Sequence, residues 1–170
     1  VVLDIEDSVA PDQKQSAQAM VQDAIPLAAR GGAEVAVRVN SDTVAEDCNA
    51  AIWPGLCAVV LPKAETQEQI TTLDALLTRL EAERGLPPMS VEIMPMIESA
   101  IGVQNAYAIA SASRRIKSFG VLGEADLTAD LGASFDALQS HDVLAYPRGE
   151  VGLAACALGL TVNSRAWTPG

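Results

Sequence analysis

The sequence has little of the residues that most often carry nucleophilic or acid–base chemistry. Its single histidine is His141, so a Ser-His-Asp or Cys-His site would have to use it. The polar setting 139–142 is typical of a surface loop or a helix start instead. The three cysteines, Cys48, Cys57 and Cys156, form no CxxC pair and lie in apolar or helical stretches. This pattern favours buried free thiols in a reducing cytoplasm.

Basic residues are also scarce. The chain has 11 Lys and Arg against 22 Asp and Glu, a net charge of −11. This balance argues against nucleic acid and an anionic membrane surface as partners. A small anionic ligand remains compatible, because one well-placed arginine outweighs a distant acidic surface. The sequence contains neither GxGxxG after its first apolar run nor a Walker A loop, so nucleotide binding of those kinds is unsupported.

Apolar, β-branched runs alternate with segments of helical periodicity. The predicted strands are 1–5, 34–39, 58–61, 91–97, 118–122 and 160–163, and the predicted helices are 12–30, 42–52, 66–84, 103–113 and 147–158. Near-continuous apolar strands are typical of parallel α/β sheets. We therefore expect one α/β domain over 1–170, either a doubly wound sheet or a (β/α)8 barrel. A barrel typically needs about 250 residues, so this chain is short by about two βα units.

Some helix boundaries follow from single residues. Thr66 and Gln69 form a capping-box pattern at the start of one helix. Pro147 suits the first turn of another, and Pro26 is expected to kink or shorten its own helix. The chain opens within one strand-like run and ends just after another, so we expect a piece of a longer fold.

Two carboxylates lie where an apolar strand gives way to a loop or helix. Glu98 ends the run from Glu92, and Asp126 follows Phe119–Ala125. If those strands are neighbours in a parallel sheet, both acids point into one crevice. Mg²⁺ usually takes one or two protein carboxylates and completes its shell with water and substrate. The alternative is that the two acids are a helix cap and a salt-bridge partner.

The first two strands also end in charged residues. Asp4 and Glu6 share one strand face, and Asp7 follows them; the alternative is a solvated strand end with Asp7 or Ser8 capping the next helix. On the second strand Val35, Val37 and Val39 share a face, which leaves Arg38 and Asn40 on the other. A buried Arg38 needs an anionic partner: Asp4, Glu6 or a substrate carboxylate. Lys63, at the third strand end, is read as an ion-pair partner in preference to a Schiff-base lysine.

These segments, in this order, resemble the HpcH/HpaI aldolase and citrate lyase beta-subunit family. The matching runs are 3–11 with Lys14, 37–40, 60–63, 97–103 with Asn105 and Ala106, 122–132 and 154–160. The run 122–132 is long, so a chance match to it is improbable. The resemblance extends through nearly the whole chain.

The resemblance implies an incomplete (β/α)8 barrel of about six βα units, usually in a trimer or hexamer, with a Mg²⁺ site and Mn²⁺ as an alternative metal. It puts the metal ligands at Glu98 and Asp126, and the substrate-binding arginine at Arg38. It adds Glu6 and Asp7 as residues for substrate contact or proton transfer. The backbone of Gly123, Glu124 and Ala125 is expected to bind a substrate carboxylate beside Arg38.

The implied reaction is Mg²⁺-dependent cleavage of a 3-hydroxyacyl thioester of the citryl, malyl or citramalyl type. The products are an acetyl-type thioester, on coenzyme A or a carrier protein, and a 2-oxo acid. The alternatives are a metal-dependent 2-oxo-acid aldolase and an inactive barrel that serves as a binding or assembly subunit. The chain departs from the family at Gln18, where an arginine is common, and at Glu124; it also has few basic groups for coenzyme A.

Overall fold

A computed structural model describes residues 1–133 and 143–162, which fall into two units. The first consists of Val1–Leu61 and Thr72–Ile93; the second consists of Pro62–Thr71 and Met94–Gly170. His141 and Asn163, the last residue of the sixth predicted strand, lie outside the described residues. Each unit is α/β, with parallel strands and helices between them.

The first unit contains three parallel strands in sequence order. They are β1 (Val2–Asp4), β2 (Val35–Arg38) and β3 (Leu56–Leu61), and they alternate with α1 (Lys14–Ala28) and α2 (Val44–Ala51). The helix α3 (Gln67–Glu83) runs from the second unit into the first. Val35, Val37 and Val39 are fully buried, as the alternation along this strand predicts.

The second unit contains two parallel strand pairs. The strand β4 (Glu92–Ile97) belongs to this unit from Met94 onward and pairs with β6 (Val121–Leu122). The strand β5 (Ser118–Phe119) pairs with β7 (Thr161–Val162). In the described residues of this unit lie the helices α4 (Ala100–Gln104), α5 (Ala106–Ser111), α6 (Glu124–Asp130) and α7 (Ala145–Ala157). None of the helices in the described parts is long and apolar enough to cross a membrane.

Most predicted elements are present, with shifted ends. The capping box is confirmed: the backbone N–H of Thr66 donates to Gln69 Oε1 at 2.9 Å, and that of Gln69 donates to Thr66 Oγ1 at 3.2 Å. Pro147 is the third residue of α7, within the first turn. Pro26 does not end α1 early, because it lies in the last turn and removes only one late hydrogen bond.

Three expectations about local structure were wrong. The strand predicted over 118–122 is two strands, separated by Gly120 with φ of 130°. The helix predicted over 103–113 is α4 and α5, which meet at Asn105, whose side chain donates to Glu65 O at 2.7 Å. Of the three free cysteines only Cys48 is buried; Cys156 lies on an exposed position of α7.

The carboxylate of Glu81 holds the segment that leads into β4. Glu81 is 1% exposed and accepts the backbone N–H groups of Met89 and Val91, each at 3.0 Å. Met89 has φ of 62°, in the left-handed region that favours glycine. A strained turn of this kind persists only when surrounding contacts specify it.

Replacing Glu81 with alanine should destabilise the fold by about 2–4 kcal/mol, because two backbone N–H groups lose their acceptor. The measurement is urea denaturation at neutral pH. Glu83→Ala on the same helix is the matched control, since Glu83 and Arg79 form an exposed pair at 3.1 Å. That change should cost less than about 1 kcal/mol. Equal costs for the two variants would contradict this role of Glu81.

Candidate functional site

The register of β4 against β6 brings Glu98 to Gly123. Parallel pairing sets Ile97 opposite Leu122, and the backbone N–H of Gly123 donates to Ile97 O at 3.1 Å. The residues that follow the two strands, Glu98 and Gly123, therefore lie side by side. Glu98 is only 5% exposed, although it lies at a strand end.

The Glu98 carboxylate occupies the space that a side chain at residue 123 would fill. A Cβ on Gly123 would lie 2.1 Å from Glu98 Oε1 and 2.7 Å from its Cδ. Distances this short are not tolerated, so residue 123 must be glycine while Glu98 has this position. The φ of Gly123 is −80°, so close approach is the reason for glycine here and backbone conformation is not.

The other oxygen of Glu98 is held by the turn after β3. The backbone N–H of Lys63 donates to Glu98 Oε2 at 2.8 Å, and Lys63 has φ of 51°. A backbone hydrogen bond holds this turn, because Ala64 N–H donates to Met96 O at 3.0 Å. Gly102 packs closely against the turn, since a Cβ at residue 102 would lie only 2.7 Å from Ala64 O. A strained residue that orients a buried acid is common at functional sites.

Asp126 lies within the first turn of α6 and does not precede the helix. Gly123 is the N-cap residue, which rules out Asp126 as the N-cap. Asp126 is exposed, at the end of α6 that begins beside Glu98. It is about 5 Å along the helix axis from the cap, at 1.5 Å per residue. Glu124 pairs with Arg148 at 2.7 Å through Arg148 Nη2.

The oxygens at this end of α6 suit a hard divalent cation. Glu98 presents a buried, oriented carboxylate, and Asp126 adds a second carboxylate on the adjoining turn. Within 1–133 and 143–162, no group of three or more His, Cys, Asp or Glu side chains is arranged to hold a metal. Two carboxylates are a donor set that Mg²⁺ accepts, because this ion commonly takes one or two carboxylates and keeps several waters.

Arg38, in the first unit, lies between two carboxylates. The register of β1 against β2 sets Asp4 opposite Arg38. The guanidinium donates to Asp4 through Nε at 3.0 Å and Nη2 at 2.5 Å, and Nη1 lies 3.1 Å from Glu6 Oε2. Of the partners that the sequence allows for Arg38, namely Asp4, Glu6 or a substrate carboxylate, the structure has Asp4 and Glu6.

The two acids beside Arg38 have opposite pKa shifts. Burial acts to raise the pKa of Asp4, but hydrogen bonds from Arg38, Ser8 and the Glu6 N–H outweigh it, and the pKa is about 2. Burial raises the pKa of Glu6, which is 5% exposed, despite the opposing Arg38 charge and the Asp7 N–H bond. The hydrogen bond to Asp4 raises the pKa of Arg38, so the guanidinium stays charged.

The capping role considered for Asp7 and Ser8 is wrong. The short 3-10 helix Pro11–Gln13 that precedes α1 has Ala10 as its N-cap, without a side-chain cap bond. Ser8 Oγ donates to Asp4 instead, and the Asp7 N–H donates to Glu6 Oε2 at 2.9 Å. Asp7 itself is exposed.

A polar network that the sequence does not predict lies next to this cluster. Lys14 Nζ donates to the carbonyls of Ile5 and Glu6 and to Asn40 Oδ1. Asn40 in turn donates to Asp47, which is fully buried. No pattern indicated this burial, because Asp47 follows Glu46 in a short helix and two adjacent acids are typical of a solvated face.

The family model described as HpcH/HpaI aldolase/citrate lyase matches residues 1–167. The citrate lyase subunit beta of Leuconostoc mesenteroides subsp. cremoris is 33% identical over 163 residues, 91% of this chain and 54% of that protein. The L-malyl-CoA/beta-methylmalyl-CoA lyase of Cereibacter sphaeroides (strain ATCC 17025 / ATH 2.4.3) is 35% identical over 141 residues, 78% of this chain and 43% of that protein. This chain spans about half the length of these curated relatives.

A solved structure described as the citrate lyase beta subunit complexed with oxaloacetate and magnesium, from M. tuberculosis, has a TM-score of 0.68 to this chain. The two are 28% identical, and the match covers 95% of this chain and 66% of that one. The expected fold, an incomplete α/β barrel of the (β/α)8 type, is confirmed. On the family model and the relatives together, this chain belongs to the HpcH/HpaI aldolase/citrate lyase family.

Proposed function

We propose that this chain carries the active site of a Mg²⁺-dependent carbon–carbon lyase. The substrate is a 3-hydroxyacyl thioester of the citryl, malyl or citramalyl type, and the products are an acetyl-type thioester and a 2-oxo acid. The observation that carries the proposal is the buried Glu98 carboxylate, held between Gly123 and the Lys63 N–H. Support comes from the relatives, a citrate lyase subunit and a malyl-CoA lyase, and from the related structure with oxaloacetate and magnesium.

In this proposal Glu98 and Asp126 hold the metal. Bound Mg²⁺ would supply Lewis-acid stabilisation of the developing negative charge on a substrate oxygen. Glu98 supplies a carboxylate of fixed orientation for the metal, because Lys63 restrains one of its oxygens and Gly123 lies against the other. Asp126 contributes charge from the first turn of α6. The backbone N–H groups of Gly123, Glu124 and Ala125 are proposed to contact the substrate carboxylate.

Arg38 is proposed to bind a substrate carboxylate. A guanidinium has five N–H donors in a planar fork that matches a carboxylate. Two of the Arg38 donors are bonded to Asp4, and Nη1 lies 3.1 Å from Glu6 Oε2. These bonds set the plane of the guanidinium before substrate arrives, so the two N–H donors that they do not use are oriented in advance. Asp4 is therefore a partner of Arg38 rather than a group that acts on substrate.

Glu6 suits proton transfer better than Asp7. Burial raises the pKa of Glu6 and makes its carboxylate a stronger base, whereas Asp7 is exposed. As base, Glu6 takes the proton of the substrate 3-hydroxyl. The carbon–carbon bond then breaks, its electron pair goes to the α-carbon of the acyl thioester, and the hydroxyl carbon becomes the carbonyl of the 2-oxo acid. Return of the proton to that α-carbon completes the acetyl-type thioester.

Turnover assays test this function. With Mg²⁺, the chain should release an acetyl-type thioester from citryl-, malyl- or citramalyl-CoA, and EDTA should abolish the release. Formation of a hydroxy-oxo acid from pyruvate and an aldehyde, without any thioester, would instead support the free-acid aldolase. Absence of both activities together with tight Mg²⁺ and oxo-acid binding would support a binding subunit and contradict the lyase proposal.

Removal of either metal ligand should weaken Mg²⁺ binding in isothermal titration calorimetry. Loss of a ligand's supporting partner costs roughly 10–100-fold in affinity, so Glu98→Gln and Asp126→Asn should cost more than that. Asp130→Asn is the matched control on the same helix. Asp130 accepts the Ala100 N–H at 2.7 Å, and asparagine keeps an acceptor there. Wild-type affinity in the Glu98 and Asp126 variants would refute the ligand assignment.

Gly123→Ala should abolish Mg²⁺ binding while the chain still folds. The new Cβ would lie 2.5 Å from Glu98 Cγ, so the acid must leave its position. Gly149→Ala is the control, because a Cβ there meets nothing within 4 Å. That variant should be neutral or stabilised by up to about 1 kcal/mol, as for alanine in a helix. Equal Mg²⁺ affinities in the two variants would show that Glu98 does not depend on this glycine.

The Asp4–Arg38 pair should make stability depend on pH below about 4. The pKa of Asp4 falls from an ordinary value of 3.8 to about 2 on folding, so its stabilisation is present above 3.8 and lost as pH falls through 2. The unfolding free energy of wild type should therefore exceed that of Asp4→Asn at pH 6, and the difference should narrow toward pH 2. If the difference in unfolding free energy between wild type and Asp4→Asn stayed constant from pH 6 to pH 2, the Asp4 charge would not be the source of the stabilisation.

A further inference from the structure

Lys14, on the first turn of α1, reaches the end of β1. Its ammonium donates to Ile5 O at 3.1 Å, to Glu6 O at 2.6 Å and to Asn40 Oδ1 at 2.7 Å. An ammonium has three N–H donors, so all of them have an acceptor. Two of these acceptors are consecutive carbonyls of the segment that carries the Glu6 side chain.

Asn40 joins this lysine to a buried acid. Its amide nitrogen donates to Asp47 Oδ2 at 2.7 Å and to Ile5 O at 2.9 Å, while its oxygen accepts from Lys14. The three bonds define which end of the amide is oxygen. Asn40 lies two residues after Arg38, so its contacts hold the chain just beyond β2.

Asp47 closes the network from α2. It is fully buried and accepts the Asn40 N–H at 2.6 Å and a Gln18 amide N–H at 2.6 Å. A buried carboxylate without strong donors is costly, and the backbone and amide donors here meet that need. Gln18 thus bonds Asp47 through a neutral amide.

We propose that Lys14, Asn40 and Asp47 are positioning residues for the cluster formed by Asp4, Glu6 and Arg38. The inference rests on the proposed function, in which Arg38 binds substrate and Glu6 transfers a proton. The three residues touch the backbone of both strand ends but not the Arg38 guanidinium. They fix where the two carboxylates lie relative to Arg38, and a misplacement of about 1 Å can cost roughly 100-fold in rate.

Lys14→Met is the primary test, with two readouts. The variant should bind oxaloacetate about 10–100-fold more weakly in the presence of Mg²⁺, with unchanged affinity for Mg²⁺ alone. In the ligand-free protein, carbon-detected NMR titration should show the Asp4 pKa rising from about 2 toward 3.8, because the Arg38 pair is loosened. Asp47→Asn keeps the shape of the site, so it should change the oxaloacetate affinity and the Asp4 pKa in the same direction as Lys14→Met but by a smaller amount. This second variant keeps the test valid if Lys14→Met does not fold.

Lys117→Met is the control, since Lys117 Nζ also donates to a backbone carbonyl, that of Arg114, at 2.7 Å. It should change neither readout. A loss of thermal stability in Lys14→Met and Asp47→Asn without a change in oxaloacetate affinity or in the Asp4 pKa would overturn the positioning role. If wild type binds no oxaloacetate while Lys14→Met still raises the Asp4 pKa, the positioning of the pair stands and the proposed function fails.

Discussion

The need of buried carboxylates for donors organises much of this structure. Glu6, Asp47, Glu81 and Glu98 are each at most 5% exposed in a chain of net charge −11. A buried ionised carboxylate is tolerated only with hydrogen bonds or a cation. Each of these acids accepts at least one backbone N–H: from Asp7, Asn40, Met89 or Lys63, among others. These hydrogen bonds therefore hold the turns and strand ends in place, and they also fix the orientation of the carboxylates.

The four acids differ in the parts of the fold that these hydrogen-bond donors connect. Glu81 accepts two backbone N–H groups, and this suits an anchor for a strained turn. Asp47 accepts from an amide on each side, which suits a link between α1 and the end of β2. Glu98 accepts the Lys63 N–H through one oxygen, and its other oxygen lies against Gly123 at the start of α6. This position beside α6 is the one from which we propose that Glu98 holds a metal.

The sequence predicted those features that depend on local pattern. Alternation along β2 separated its valines from Arg38, and the Thr66–Gln69 pattern marked the start of α3, because both signals lie within a few residues. The pairing of Arg38 with Asp4 and Glu6 was among the predicted alternatives, since a buried guanidinium must find an acid. The family resemblance pointed to Glu98 and Asp126, and their role as metal ligands remains a prediction.

What the sequence did not predict depends on contacts between distant residues. The approach of Gly123 to Glu98 arises from the register of β4 against β6, which no local pattern encodes. Asp47 resembles a solvent-facing acid until Asn40 and Gln18 are placed around it. Helix ends shifted for a related reason: the side chain of Asn105 bonds a carbonyl 40 residues away, at the break between α4 and α5.

The glycine beside Glu98 makes residue 123 informative about other chains of this fold. Any side chain there, even the smallest, competes with the carboxylate for the same few cubic ångströms. A protein with this strand register and a larger residue at that point must therefore carry its acid elsewhere or have none. The residue at this one position can thus be used to separate relatives that keep this acid in place from those that share only the scaffold.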